Sequence, residues 1–151
     1  MVILVALGFA LAATIAGMIL LGESWFQLLI AAALGVVFTQ FAFLAHEASH
    51  RQVFTSGRTN DRLGKIVATL VVGMSYSWWM TKHTRHHKNP NQIGQDPDIA
   101  YDTIAFTVES AAEQRGFKAW IVQRQGWLFF PLLLLEGINL HYISIRTLIT
   151  D

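Results

Sequence analysis

Two apolar runs, residues 1–22 and 24–45, contain no charged side chain and are separated only by Glu23. A bilayer's hydrocarbon core is about 30 Å thick and takes about 20 helical residues to cross. Backbone groups inside it must find their partners within the segment, so each run predicts a transmembrane helix. The first run has no basic leader and exceeds the roughly 7–15 apolar residues of a secretory signal core. It also leads directly into the second run, which predicts an anchor rather than a cleaved signal. With 53% hydrophobic and 14% charged residues, the composition excludes an ordinary soluble domain built around one core.

The charges are unevenly spread. Residues 51–88 hold seven Lys/Arg against the single acid Asp61, whereas residues 96–113 hold five acids and no base. The positive-inside tendency then places residue 51 onward, and with it the amino terminus, in the cytoplasm. Residues 66–81 are apolar and bracketed by Lys65 and Lys82, but 16 residues reach only about 24 Å as a helix. They predict an interfacial helix, with Tyr76, Trp78 and Trp79 at headgroup depth. Residues 127–149 form a third candidate span interrupted by Glu136, Asn139 and Arg146, and residues 99–124 have the mixed character of surface helices. Gly17 and Gly35 are expected at helix-packing positions. The chain is thus expected to be an all-α integral membrane protein of the cell membrane. It would comprise one domain over residues 1–151, with two to three transmembrane helices plus interfacial or cytoplasmic ones. No repeat or linker divides it, and nothing in it points to nucleic acid.

Chemistry concentrates in the histidines. Five of the six lie between residues 46 and 87, as His46-Glu47-Ala48-Ser49-His50 and His83-Thr84-Arg85-His86-His87. Residues four apart share a helix face, so His46 can converge with His50, and His83 with His87 or, three apart, with His86. Adjacent His86 and His87 point in different directions, which favours two metals or a split role. There is no cysteine, so thiolate ligation, iron–sulfur clusters and thiol nucleophiles are excluded and a metal must be held by nitrogen and oxygen. Five imidazoles overfill one tetrahedral zinc and suit iron, whose higher coordination leaves room for dioxygen. His46-Glu47-x-x-His50 also matches the zinc-protease signature, in which Glu47 would be the general base. That reading leaves His83, His86 and His87 idle. Glu47 is therefore favoured as an acceptor that orients a ligand imidazole through its other nitrogen.

The two boxes, with Gln95-Asp96-Pro97-Asp98 after them, resemble the membrane fatty acid desaturase family, and the resemblance covers most of the chain. It implies a helical membrane fold whose cytoplasmic boxes hold two non-haem irons and use dioxygen as co-substrate to remove two hydrogens from an acyl chain. By motif position, His46, His50, His83, His86 and His87 would be the iron ligands. Related lipid hydroxylases and alkane monooxygenases share similar boxes, leaving hydroxylation as a close variant. The chain shows no flavin or dinucleotide fingerprint, so electrons are expected from a ferredoxin-like carrier with its reductase. The basic stretch 51–88 could dock such a carrier or anchor to anionic lipid.

The family's third box, His-x2-His-His or Gln-x2-His-His, is absent from this sequence, which is expected to be a fragment ending before it and inactive by itself. In the third candidate span, Glu136, Asn139 and His141 are ionisable or polar groups at membrane depth and hence candidate additional site residues. On a regular helix His141 points about 160° away from Asn139, which argues against a shared ligand face. Asp96 and Asp98 are read as turn formers around Pro97, and Trp78 and Trp79 as interfacial anchors. Beside the desaturase stand two further readings: a membrane zinc metalloprotease using His46, Glu47 and His50, and a non-catalytic metal-binding remnant.

Overall fold

The computed structural model describes residues 2–100 and 103–150, and among these every regular element is helical. Helix α1 is Val2–Leu21, α2 Gln27–Ser49 and α3 Gly57–Lys65; a π-helical segment, Ile66–Val72, follows. Helices α4 Tyr76–Lys88, α5 Val108–Ala112, α6 Gly116–Gln123 and α7 Gln125–Thr150 complete the order. The chain divides after Tyr76 into two compact units. Three described helices, α1, α2 and α7, are long and apolar enough to cross a membrane.

In the first unit α1 and α2 form a hairpin. Gly22 takes a left-handed conformation (φ 52°) that a side chain would resist. Gln27 reaches back across the turn, its Nε2 donating to the carbonyls of Met18 at 2.7 Å and Gly22 at 2.8 Å. Those carbonyls lie at the end of α1, where the helix has no partners of its own to offer. Gly17 meets Ile30, whose Cδ1 would lie 3.1 Å from an added Cβ. Among the described residues Gly35 has nothing within 4 Å of such an atom, so the packing expected of it is not seen there.

No residue of α1 is buried, and Phe9, Ile19 and Leu20 stand open. A helix apolar all round in this way is of the kind that spans a bilayer. Helix α2 differs: Val37, Phe41, Leu44, Ala45 and Ala48 recur at helical spacing and are buried, opposite an exposed face that includes Val36 and Phe43. The buried stripe packs against α3 and the π-helical segment, where Val67 and Ala68 are its apolar counterparts. The stripe sets the azimuth of α2 and hence of the histidines at its end.

Residues 66–81 are not the single interfacial helix expected of them. The π-helical turns end at Gly73, whose φ of 79° is left-handed, and Met74 N–H closes on the Ala68 carbonyl at 2.8 Å. A new helix starts at Tyr76. The break turns on a glycine that can leave the right-handed region at little cost. It also allows Tyr76 to lie on Gly64, where an added Cβ would come within 2.6 Å of the ring.

In the second unit α4 leads into the irregular stretch before α5. Asn91 and Gly94 there take positive φ of 60° and 77°. Gln125, opening α7, clasps the backbone of buried Ala105, accepting from its N–H and donating to its carbonyl, both at 2.9 Å. Helix α7 tolerates Pro131 in its second turn and buries only Ser144 among its described residues.

Candidate metal centre

The first histidine pair closes α2. His50 N–H bonds the His46 carbonyl at 3.2 Å, so the four-residue spacing is one true helical turn, and the two rings lie 4.7 Å apart between centroids. The chain then leaves through a Schellman closure, with Arg51 N–H on the Ala48 carbonyl (2.9 Å) and Gln52 N–H on that of Glu47 (3.0 Å). Arg51 occupies the left-handed position (φ 58°) that usually takes glycine.

The following loop is held by Asn60, which is fully buried. Its Oδ1 accepts from Val53 N–H (3.1 Å) and Phe54 N–H (3.0 Å). Its Nδ2 donates to the carbonyls of Phe54 (2.7 Å) and Ser56 (2.9 Å). One side chain thus partners four backbone groups of the loop, one of which, the Ser56 carbonyl, also accepts the Asn60 N–H at 3.1 Å. Glu47 Oε1 stands 3.5 Å from His46 Nδ1, an approach that is electrostatic only when the imidazole is protonated and too long for a good hydrogen bond.

The second cluster occupies the last turns of α4. His83 and His87 lie 4.4 Å apart between ring centroids and nearly edge-on, with His86 and His87 at 5.7 Å. Trp79, expected only as an interfacial anchor, stacks on His83 at 4.5 Å and 15°. The spacing of four between Trp79 and His83 was the available signal for that contact.

His86 turns toward the irregular stretch. Its Nδ1 lies 3.0 Å from both oxygens of Asp96 and 3.2 Å from Asp98 Oδ2. Asp96 is 1% exposed. Its Oδ2 accepts from Asn91 N–H at 2.6 Å and its Oδ1 from Asp98 N–H at 2.8 Å. It is therefore the turn former expected, and also a buried imidazole acceptor, which was not. Burial alone would push the Asp96 carboxyl up, but the hydrogen bonds from Asp98, His86 and Asn91 outweigh it and hold the group below the ordinary carboxylate range. The same contact raises the His86 pKa against the opposing effect of desolvation. Asp98 pairs with Lys82 Nζ at 3.2 Å.

Each pair offers imidazole nitrogens at close range, the donor type that suits iron, zinc, copper or nickel. One atom each from His86, Asp96 and Asp98 also lies within 4.8 Å of the others. The candidate residues of α7 engage one another or the backbone. Asn139 Nδ2 donates to Glu136 Oε2 at 3.2 Å, while exposed His141 places Nδ1 2.7 Å from the Gly137 carbonyl.

The family model described as fatty acid desaturase matches residues 23–149. A delta(8)-fatty-acid desaturase of Helianthus annuus is 27% identical over 93% of this chain and 33% of its own length. An acyl-lipid (9-3)-desaturase of Borago officinalis is 28% identical over 78% and 29%. A delta 8-(E)-sphingolipid desaturase of Komagataella phaffii is 28% identical over 82% and 25%. The chain therefore spans about a third or less of the length of these curated relatives. No solved structure matches it. The match embraces both histidine boxes and gives no support to the zinc-protease reading of His46-Glu47-x-x-His50. With the matched residues covering most of the sequence, this chain belongs to the fatty acid desaturase family.

Proposed function

We propose that this chain carries two histidine boxes of a fatty acid desaturase acting on an acyl-lipid or acyl-CoA, which introduces a double bond into a fatty acyl chain using dioxygen and externally supplied electrons. The observation that carries the reading is that the family match contains both boxes, each presenting imidazoles four residues apart with ring centroids 4.4–4.7 Å apart. His46, His50, His83, His86 and His87 are the proposed ligands of two non-haem irons. When bound, iron supplies the oxidising chemistry that removes hydrogen from an unactivated methylene, which no protein side chain provides. The donor set fits: it is all imidazole nitrogen, with a carboxylate hydrogen-bonded to His86.

The chain's own contribution is to hold and aim those nitrogens. His46 and His50 are fixed by the end of α2 and the Asn60-braced loop after it, and His83 by the Trp79 ring. We place both boxes on the cytoplasmic face, as the basic excess in residues 51–88 favours. The same stretch gives a carrier of ferredoxin type an electrostatic approach.

Gas chromatography of acyl lipids from host membranes containing the protein, expressed with whatever reading frame follows residue 151, tests the reaction. The expected result is a new monounsaturated or further unsaturated acyl chain, lost in His50→Ala and in His87→Ala alike. A hydroxylated acyl product instead would assign the protein to the related hydroxylases, and a product indifferent to the second substitution would remove that box from the site.

A further inference from the structure

The structure assigns Asp96 as the positioning residue for His86: its carboxylate holds the proton on Nδ1 and so presents Nε2 as the metal-binding nitrogen. The inference rests on the proposed ligand role of His86 and adds a residue outside both histidine boxes.

His86 Nδ1 sits between two carboxylates, and their surroundings decide which of them holds it. Asp98 is half-exposed and already neutralised by Lys82, which lies one turn before His86 on α4. The Asp96 side chain is closed off from solvent and meets Nδ1 with both oxygens at 3.0 Å. A carboxylate removed from water has no solvent donor competing for it, so its interaction with a ring N–H is strengthened. A neutral imidazole carries one proton; with that proton on Nδ1, the lone pair is on Nε2.

A rival use of the same atoms is a separate cation site formed by His86, Asp96 and Asp98, whose ligand atoms are close enough. The hydrogen bonds argue against it. Each Asp96 oxygen accepts a backbone N–H, from Asn91 or Asp98, besides sharing the imidazole proton. The three donors take up the lone pairs a cation would need and also fix the carboxylate in place. Asp96 is thus built to orient an imidazole. It is held by a turn whose Asn91 adopts the left-handed conformation (φ 60°) that aims its N–H inward.

The test has two readouts on the whole protein in detergent. Nitrogen-15 NMR of histidine-labelled, metal-free protein reads the His86 tautomer. It should report an Nδ1–H form that becomes a mixture in Asp96→Asn. Titration with Fe(II) should then show affinity about 10- to 100-fold weaker in Asp96→Asn, the usual effect of removing such an orienting carboxylate. Asn91→Ala strains the same turn while leaving the carboxylate in place, and should change the tautomer little and the affinity less than about tenfold. An unchanged tautomer in Asp96→Asn would overturn the inference at the contact itself. Equal losses in Asn91→Ala would reduce Asp96 to a turn brace. If His86→Ala binds Fe(II) as tightly as the unaltered protein, the inference fails instead through the ligand role on which it rests.

Discussion

Asn60 and Gly64 hold the chain that follows the first histidine pair, though neither lies in a histidine box. Asn60 uses its whole amide on the backbone of the loop that follows His50. Asn60→Ala would take the side-chain partner from the half-buried Val53 N–H, Phe54 N–H and Phe54 carbonyl, at a summed cost of roughly 1–3 kcal/mol. A lowered midpoint of chemical unfolding in detergent is the expected outcome, and an unchanged midpoint would show that water replaces the amide. Gly64 admits the Tyr76 ring where no side chain fits. Gly64→Ala should cost roughly 1–3 kcal/mol by overpacking. Tyr76→Val combined with it should recover part of that loss, a non-additivity that unfolding of the single and double variants would measure. Neither residue was visible as special in the sequence: Asn60 lies in the polar run Arg58-Thr59-Asn60-Asp61-Arg62, and its four partners are set by a fold in the chain rather than by spacing. Asp96 was half legible. Its turn neighbours Asn91, Gly94 and Pro97 announced the turn, but its contact with His86, ten residues earlier, leaves no local pattern.

Helices α1 and α2 were readable because an uncharged run of sufficient length has few alternatives in a bilayer, and α7 because its run is long and apolar despite Glu136 and Arg146. The buried stripe of α2 follows from the same residues, although only the fold shows that α3 and the π-helical segment cover it. The division of residues 66–81 was hidden by apolarity. Gly73 looked like one more small residue in a hydrophobic run, and only its left-handed φ reveals a helix end. The open face of α1 makes its own prediction. Phe9 lies near the helix middle and is 73% exposed, so Phe9→Asp would place a carboxylate against lipid at a cost of about 2.5–3.5 kcal/mol. Alkaline extraction should then release a larger share of the protein from membranes, whereas the same share as before would mean that this face is not lipid-facing.

For the molecule as a whole, sequence pattern and family membership agree on a helical membrane protein whose histidines are set for metal. The boxes were legible because residues three or four apart share a helix face, the spacing a metal site on a helix would need, and the rings within each pair lie close together. Glu136, Asn139 and His141 were drawn in by their polarity at membrane depth; in the fold Asn139 donates to Glu136, and His141 meets a backbone carbonyl through Nδ1. The central claim, that the two boxes serve one iron chemistry, is tested most directly by elemental analysis of the protein purified in detergent, beside His50→Ala and His87→Ala. The account predicts iron rather than zinc, diminished by either substitution. Zinc held by the first box alone, unaffected by His87→Ala, would contradict it.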